Sequence, residues 1–196
     1  MIIFILACFV NIVGSCVPNT PTTGVIPVCP SGWVSASFAA TTYCYLYVEM
    51  SKTKNDAERY CNNVTPGGHL VSIHSSAENE LVRSISSGRT YVATNPLNGQ
   101  QTWIGLIRTS PATTSSPITF AWTDGTLMDY PTGPSYILNG GNAFPWDSIQ
   151  PDNNGGNEFC GTIYTNIDSQ PVTAGTWNDF TCTMRQPSFV CKVIAS

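Results

Sequence analysis

Gln150-Pro151-Asp152, Glu158-Phe159-Cys160 and Trp177-Asn178-Asp179-Phe180-Thr181-Cys182 are three short stretches of a 196-residue chain, and their reading decides its fold. The first sits in residues 131–156, a segment rich in Gly, Pro and Asn without periodicity. A compact domain that keeps so long an irregular loop usually keeps it for function. Around the three stretches, Thr109 to Met184 contains no Lys or Arg. The same span holds seven of the twelve acids: Asp124, Asp129, Asp147, Asp152, Glu158, Asp168 and Asp179. Carboxylates gathered without basic partners repel one another and raise each other's pKa unless a cation is present. A hard, oxygen-seeking ion, calcium first, is the natural cation. The other reading leaves these acids scattered and solvated on the surface, and charge distribution by itself leaves both open.

Composition narrows the classes. Charged residues make up 10% of the chain against roughly one quarter in ordinary soluble domains. Hydrophobic residues are 42%, with five Trp, enough for one sizeable core and against wholesale disorder. Net charge is −4 with only eight basic residues, so no basic face is available for nucleic acid.

The N-terminus reads as a processing signal. Ile2 to Val13 is almost wholly apolar and is followed by Gly14-Ser15-Cys16. Such a run is too short to cross a hydrocarbon core of about 30 Å and matches the apolar region of a secretory signal peptide. Residues 1–16 are the expected signal, 17–28 a Pro/Thr-rich linker and 29–194 the domain. The mature chain is expected outside the cell, with no membrane span. Cys8 lies inside the signal and Cys16 at its end. Cleavage before Cys16 would leave an odd thiol able to pair between chains. Six cysteines remain: Cys29, Cys44, Cys61, Cys160, Cys182 and Cys191. In an oxidising compartment an even set reads as disulfides, and spacing leaves their pairing open. No C-x-x-C pair suggests a zinc ribbon or a redox site.

Two helices are legible. Lys52 to Cys61 sets Ala57, Tyr60 and Cys61 at helical spacing behind Ser51 or Thr53 as N-cap. Ser75-Ser76-Ala77-Glu78 forms a capping box, after which Leu81, Val82 and Ile85 supply an apolar face and Gly88 a stop. Later segments read as strands: Trp103 to Leu106, Phe120 to Thr123, Phe159 to Tyr164, Thr176-Trp177 and Ser188 to Val193. Asp124-Gly125 is a hairpin signal. Helices early and strands late give an α+β class.

In order along the chain, Cys29-Pro30-Ser31-Gly32-Trp33, the Cys61 helix, His69-Leu70-Val71-Ser72-Ile73, Trp103-Ile104-Gly105-Leu106, Trp122-Thr123-Asp124-Gly125, Trp177-Asn178-Asp179 and Phe189-Val190-Cys191 resemble the C-type lectin-like domain family. The resemblance spans nearly the whole mature chain. It implies two helices, antiparallel sheets and a long calcium-binding loop, stapled by disulfides Cys61–Cys191, Cys160–Cys182 and an N-terminal hairpin bridge Cys29–Cys44. Ser86 to Gln101 and Ser110 to Ser116 are longer than the family needs and read as insertions.

Carried over position by position, the resemblance implies Gln150, Asp152, Glu158, Asn178 and Asp179 as ligands of one calcium ion and as the sugar-binding residues. It also implies a cis Pro151. Five side chains, the Asp179 carbonyl and two sugar hydroxyls would make about eight oxygens, a number that suits calcium and exceeds magnesium's octahedron. Amide first and acid third, as in Gln150 and Asp152, is the order the family associates with galactose and N-acetylgalactosamine. The reverse goes with mannose. The chain departs from the galactose pattern at Asn154, where strong binders carry a stacking aromatic. Phe144 and Trp146 lie nearby, the latter read as core. Phe159 replaces an acid of the family's auxiliary calcium site, which is therefore expected to be absent.

Other candidates are weaker. Asp152 and Glu158 as a glycosidase pair would compete with the calcium reading for the same carboxylates. His69 and His74 read as structural or surface residues, and no Ser-His-Asp order has a supporting motif. Asn63-Val64-Thr65 is a glycosylation sequon followed by Pro66. The sequence thus reads as a non-enzymatic, secreted, calcium-dependent lectin of galactose type, binding terminal sugars of glycans. A shallow sugar site calls for multivalency, such as a homo-oligomer, though no coiled-coil heptad is present. The alternative reading is a C-type lectin-like protein that binds a protein or lipid partner, with calcium only structural.

Overall fold

The computed structural model describes residues 27–87, 101–113, 115–131, 133–165 and 173–196. The signal segment with Cys8 and Cys16, linker residues 17–26, Gly88 with most of the first insertion, and Asp168 lie outside the described residues. The chain runs β1 (Val34–Phe38), β2 (Thr41–Val48), α1 (Lys54–Val64), β3 (His69–Leu70), α2 (Ser76–Ser86), β4 (Gln101–Arg108), β5 (Ile118–Trp122), β6 (Ser135–Tyr136), a 3-10 turn (Asn154–Gly156), β7 (Glu158–Tyr164), β8 (Trp177–Thr181) and β9 (Ser188–Ile194). This is the expected α+β architecture.

The sheet is mixed. Its main path is β1-β2-β9-β4-β5-β6, with β3 on β9 and with β7 bridging β4 to β8. Most pairs are antiparallel, but β4 and β9 run parallel, with Thr102 opposite Ser188 and Trp103 opposite Phe189. The last strand therefore lies at the centre of the fold, against β2, β3 and β4. Its run of buried Ser188 to Lys192 fits a strand covered on both faces. The start of the domain and the C-terminus come together there: the Val28 N–H donates to the Ser196 carbonyl at 3.1 Å.

Three disulfides form: Cys29–Cys44 staples β2 to the segment ahead of β1, Cys61–Cys191 joins α1 to β9, and Cys160–Cys182 ties β7 to the end of β8. Bridge and helix packing coincide at Cys61, which shares the buried face of α1 with Ala57 and sits in a cluster with Leu70, Trp103 and Phe189. Of the two N-cap candidates for α1, Thr53 caps it, its hydroxyl accepting from the Asp56 N–H. Lys54 follows, fully buried. Its Nζ donates to the Leu106 carbonyl at 2.9 Å, in the stretch where the β4–β7 register slips, and burial lowers its pKa to about 7. Asn63 is exposed in the last turn of α1.

Ser75 caps α2 as the sequence predicts, accepting from the Glu78 N–H at 3.1 Å. Glu78 does not complete the box on Ser75. It reaches one residue further back, to the His74 N–H at 2.7 Å, and its other oxygen accepts from Tyr45 Oη at 2.6 Å and faces Lys192 Nζ at 2.5 Å. Glu78 and Lys192 form a buried ion pair that joins α2 to β9, and Lys192 also donates to the Ser72 carbonyl at 3.0 Å. Asp124-Gly125 does not close a two-residue hairpin. The chain turns and continues irregularly to β6, which returns to β5. Asp124 has a different use: its carboxylate takes the Ser72 hydroxyl across the fold and the Thr126 N–H locally.

Breaking a buried pair by removing one partner leaves an uncompensated charge and typically costs about 3–5 kcal/mol. Lys192→Met should lower the unfolding free energy, read from urea unfolding, by that amount, and Lys192→Met with Glu78→Gln should recover part of it. An unchanged unfolding free energy in Lys192→Met would show that the pair does not hold α2 to β9.

Candidate functional site

The long loop after β6 is pinned by one residue. Trp146 is buried among Phe120, Tyr136 and Trp177, with ring centroids at 5.0, 5.3 and 5.9 Å. Its neighbours bond to the backbone of Trp177: the Trp177 N–H donates to the Pro145 carbonyl at 2.5 Å and the Asp147 N–H to the Trp177 carbonyl at 3.0 Å. Trp146 and Trp177 thus pair as a short parallel bridge. Downstream of one come Gln150 and Asp152, and downstream of the other Asn178 and Asp179. The Trp146 core reading holds, while Phe144 is exposed.

The Gln150-Pro151 peptide is cis. Its backbone is held from the side: Asn142 Nδ2 donates to the Gln150 carbonyl at 3.2 Å and the Asn139 N–H to the Pro151 carbonyl at 2.8 Å. Past Asp152 the chain reverses through Asn153, at φ 50, and through Gly155 and Gly156, at φ 69 and 76. The glycines take a left-handed backbone without a Cβ penalty. The reversal brings Glu158 back over Asp152. Asp179, fully buried on β8, receives the Asp152 and Asn153 N–H groups on its two oxygens, each at 2.9 Å. Glu158 Oε2 accepts from the Asn154 N–H at 2.6 Å.

Asp152, Glu158 and Asp179 consequently offer carboxylate oxygens that all lie within 4.8 Å of one another. Oxygens on opposite sides of one calcium ion, each about 2.3–2.6 Å away, stand about 4.6–5.2 Å apart. One ion of that size spans the cluster. Among the described residues no ion pair touches any of the three. Gln150 Oε1 is buried and has no hydrogen-bond partner among the described residues. A buried, unpaired carbonyl two residues from an acid of the cluster suits a hard cation. Asn178 is buried alongside, one face of its amide turned to Gln101: Nδ2 donates to Gln101 Oε1 at 3.0 Å. Without an ion the cluster is electrostatically costly. Burial, then Asp179, then a hydrogen bond shared with Asp152 push Glu158 from the usual 4.5 to about 8. Burial raises Asp179 from 3.8 to about 6, against the pull of its backbone donors.

All five sequence-derived ligand positions thus come from two neighbouring segments of the fold. The other described acids of the basic-free stretch do not join them. Asp124 bonds Ser72, Asp129 bonds His74 Nδ1, and Asp147 accepts from Thr176. Phe159, where the family's second ion site has an acid, lies under a cation of the protein itself, the Arg108 guanidinium 5.3 Å from its ring centre. Asn154 is exposed. His69 pairs with Glu58 through Nδ1, a structural contact. Sequence reading missed Asn139, Asn142 and Gln101, the residues that hold the ligand-bearing segments. Their contacts are backbone or long-range bonds with no local motif.

The Lectin C-type domain family model matches residues 50–193, so the chain belongs to the C-type lectin domain family, and its relatives there are non-enzymatic binding proteins. A lectin of Pleurodeles waltl is 34% identical over 148 residues, covering 76% of this chain and 68% of that one. A C-type lectin galactose-binding isoform of Hoplocephalus stephensii is 29% identical over 168 residues, 84% of this chain and 82% of that one. Among solved structures, the cow C-type carbohydrate-recognition domain of CD23 aligns with a TM-score of 0.60 at 24% identity, over 87% of this chain and 99% of that one. The C-type lectin CEL-I of Cucumaria echinata aligns at 0.57 and 24%, over 84% and 96%. At such identities the two structures speak for the fold. Among the described residues no helix is long and apolar enough to cross a membrane.

Both perturbed acids bind protons more tightly folded than unfolded. Their contribution to stability is full below about pH 4 and is lost as pH rises through about 6 and then about 8. In chelator, the urea midpoint should therefore fall between about pH 5 and 8. A midpoint that rises over this range would show that the three carboxylates do not share one site.

Proposed function

We propose that the chain is a secreted, calcium-dependent lectin of galactose and N-acetylgalactosamine type. In this reading residues 29–194 form the lectin domain behind the 1–16 signal and the linker. One observation carries the proposal: three acids from two segments converge without a basic partner among the described residues, and two residues before Asp152 the buried side-chain carbonyl of Gln150 has no hydrogen-bond partner there. Gln150, Asp152, Glu158, Asn178 and Asp179 would hold the ion and bind the sugar. Bound calcium would neutralise the carboxylates and give two vicinal sugar hydroxyls an oxygen-coordinating partner. The chain's own residues set the hydrogen-bond polarity. The Gln150 amide donates, as does the second Nδ2 hydrogen of Asn178, its first being given to Gln101, and the carboxylates of Asp152 and Glu158 accept. Donor at Gln150 and acceptor at Asp152 supports the galactose preference, as does the name of the galactose-binding relative. The exposed polar Asn154 in place of an aromatic argues for modest affinity.

The test is retention on a galactose resin in calcium and release by a chelator. Calcium should also raise the melting temperature, since a ligand of the folded state stabilises it by mass action, and the gain should shrink as pH falls and the acids protonate. Asp152→Ala or Asp179→Ala should abolish calcium-dependent retention while the three disulfides still form. Normal retention in either variant would place the site elsewhere.

Selectivity is tested by combining Gln150→Glu with Asp152→Asn, which keeps the oxygen count and charge but exchanges donor and acceptor. A mismatched hydroxyl pair leaves a buried polar group unpaired at about 1–3 kcal/mol, roughly tenfold or more in affinity. The exchanged protein should favour mannose over galactose in competition. Retained galactose preference would show that ligand order does not set the choice.

A further inference from the structure

We propose that Gln101 is a positioning residue for Asn178, its side-chain carbonyl fixing which end of the Asn178 amide is turned away from it and presented to the carboxylate cluster. The inference rests on the calcium reading above and deepens it. A primary amide has a donor end and an acceptor end of nearly the same shape. Only the oxygen end is useful to a cation. With no ion bound, an unrestrained amide would be free to present its N–H₂ end instead.

Gln101 opposes that choice. It is the first residue of β4, buried at 3% exposure, and it reaches Asn178 across a sequence separation of 77. Its Oε1 accepts from Asn178 Nδ2 at 3.0 Å and from Thr162 Oγ1 at 2.5 Å. Thr162 lies opposite Asn178 in the β7–β8 ladder and is fully buried, with its hydroxyl 3.2 Å from the Asn178 carbonyl. The hydroxyl donor holds the Gln101 carbonyl in place, and that carbonyl commits Asn178 Nδ2. Turning the Asn178 amide over would set its Oδ1 against Gln101 Oε1, two buried acceptors facing each other. The arrangement readies Asn178 Oδ1 for a cation before any cation arrives. Gln101 itself touches neither ion nor sugar in this scheme.

Calcium is titrated calorimetrically into the full chain, with unfolding in chelator followed in parallel. Gln101→Met, of similar length without an acceptor, should raise the calcium Kd about tenfold, the size of effect given by one mispaired buried amide. Gln101→Glu, which offers only acceptors, should keep the Kd within about threefold of the parent, in line with a retained hydrogen bond. Thr162→Val should weaken binding in the parent and add nothing to Gln101→Met, as expected for residues acting in one chain of contacts. A merely structural role would lower stability in chelator and leave the Kd unmoved. Equal Kd values for parent and Gln101→Met, or a Gln101→Glu variant as weak as Gln101→Met, would overturn the inference alone. A parent that binds no calcium would remove the calcium reading and the inference with it. A second measurement needs no variant. The Asn178 side-chain amide protons should be protected from exchange in chelator as well as in calcium, and rapid exchange in chelator would overturn the proposal even if Gln101→Met does not fold.

Discussion

The backbone pairing of Trp146 with Trp177 is the constraint on which the site depends. A loop of Gly, Pro and Asn has no internal reason to keep its shape. Here it keeps one because a large ring in its middle is buried among Phe120, Tyr136 and Trp177, and because the peptides on either side of that ring bond to β8. The same two tryptophans are therefore core residues and the frame of the site. Losing either ring would open a cavity and release the loop from the strand in one step, so packing and site geometry cannot be varied separately at these positions.

The cluster built on that frame runs against the stability of the ion-free chain. Burial holds Glu158 and Asp179 well above their ordinary pKa values, with Asp179 adding to the rise of Glu158 and Asp152 to that of Asp179. Backbone N–H groups from Asp152, Asn153 and Asn154 offset part of this by donating to the acids. They also fix the directions in which the remaining lone pairs point. At the neighbouring position the same fold takes a different course. Phe159 removes a carboxylate, and the Arg108 guanidinium occupies the ring face. One cluster of acids remains among the described residues.

Much of this was legible in the sequence where a residue's role is local. Buried strands β4, β7 and β9 show as continuous apolar runs, and the Ser75 cap shows as Ser followed three places later by Glu. The β1–β2 hairpin was legible only through family resemblance. Its turn is made by Ala39 and Ala40 at φ 46 and 66, where turn chemistry would lead one to look for Gly or Asn. Disulfide pairing was likewise left open by spacing and legible only through the resemblance, whose three pairs the fold forms. Asp124-Gly125 misled because the carboxylate answers to Ser72, far away in sequence. No local motif marks Lys54, Glu78 and Lys192 as buried, and they are buried because each finds a partner on another element. The five ligand positions follow from short motifs. Gln101, Asn139 and Asn142 do not, because nothing next to them in sequence announces a contact made across the fold.

The disulfide connectivity has a mechanical consequence. The covalent path from Cys29 to the C-terminal end crosses to Cys44, follows the chain to Cys61, crosses again to Cys191 and leaves through β9. Residues 62–190 are not on it. Cys160–Cys182 and all five candidate ligands lie inside that bypassed stretch. A pull on the two ends of the domain, which meet at Val28 and Ser196, would load the second half of β2, the first helix and the last strand. Tension would pass around the loop and its acids for as long as the two outer bridges stay oxidised.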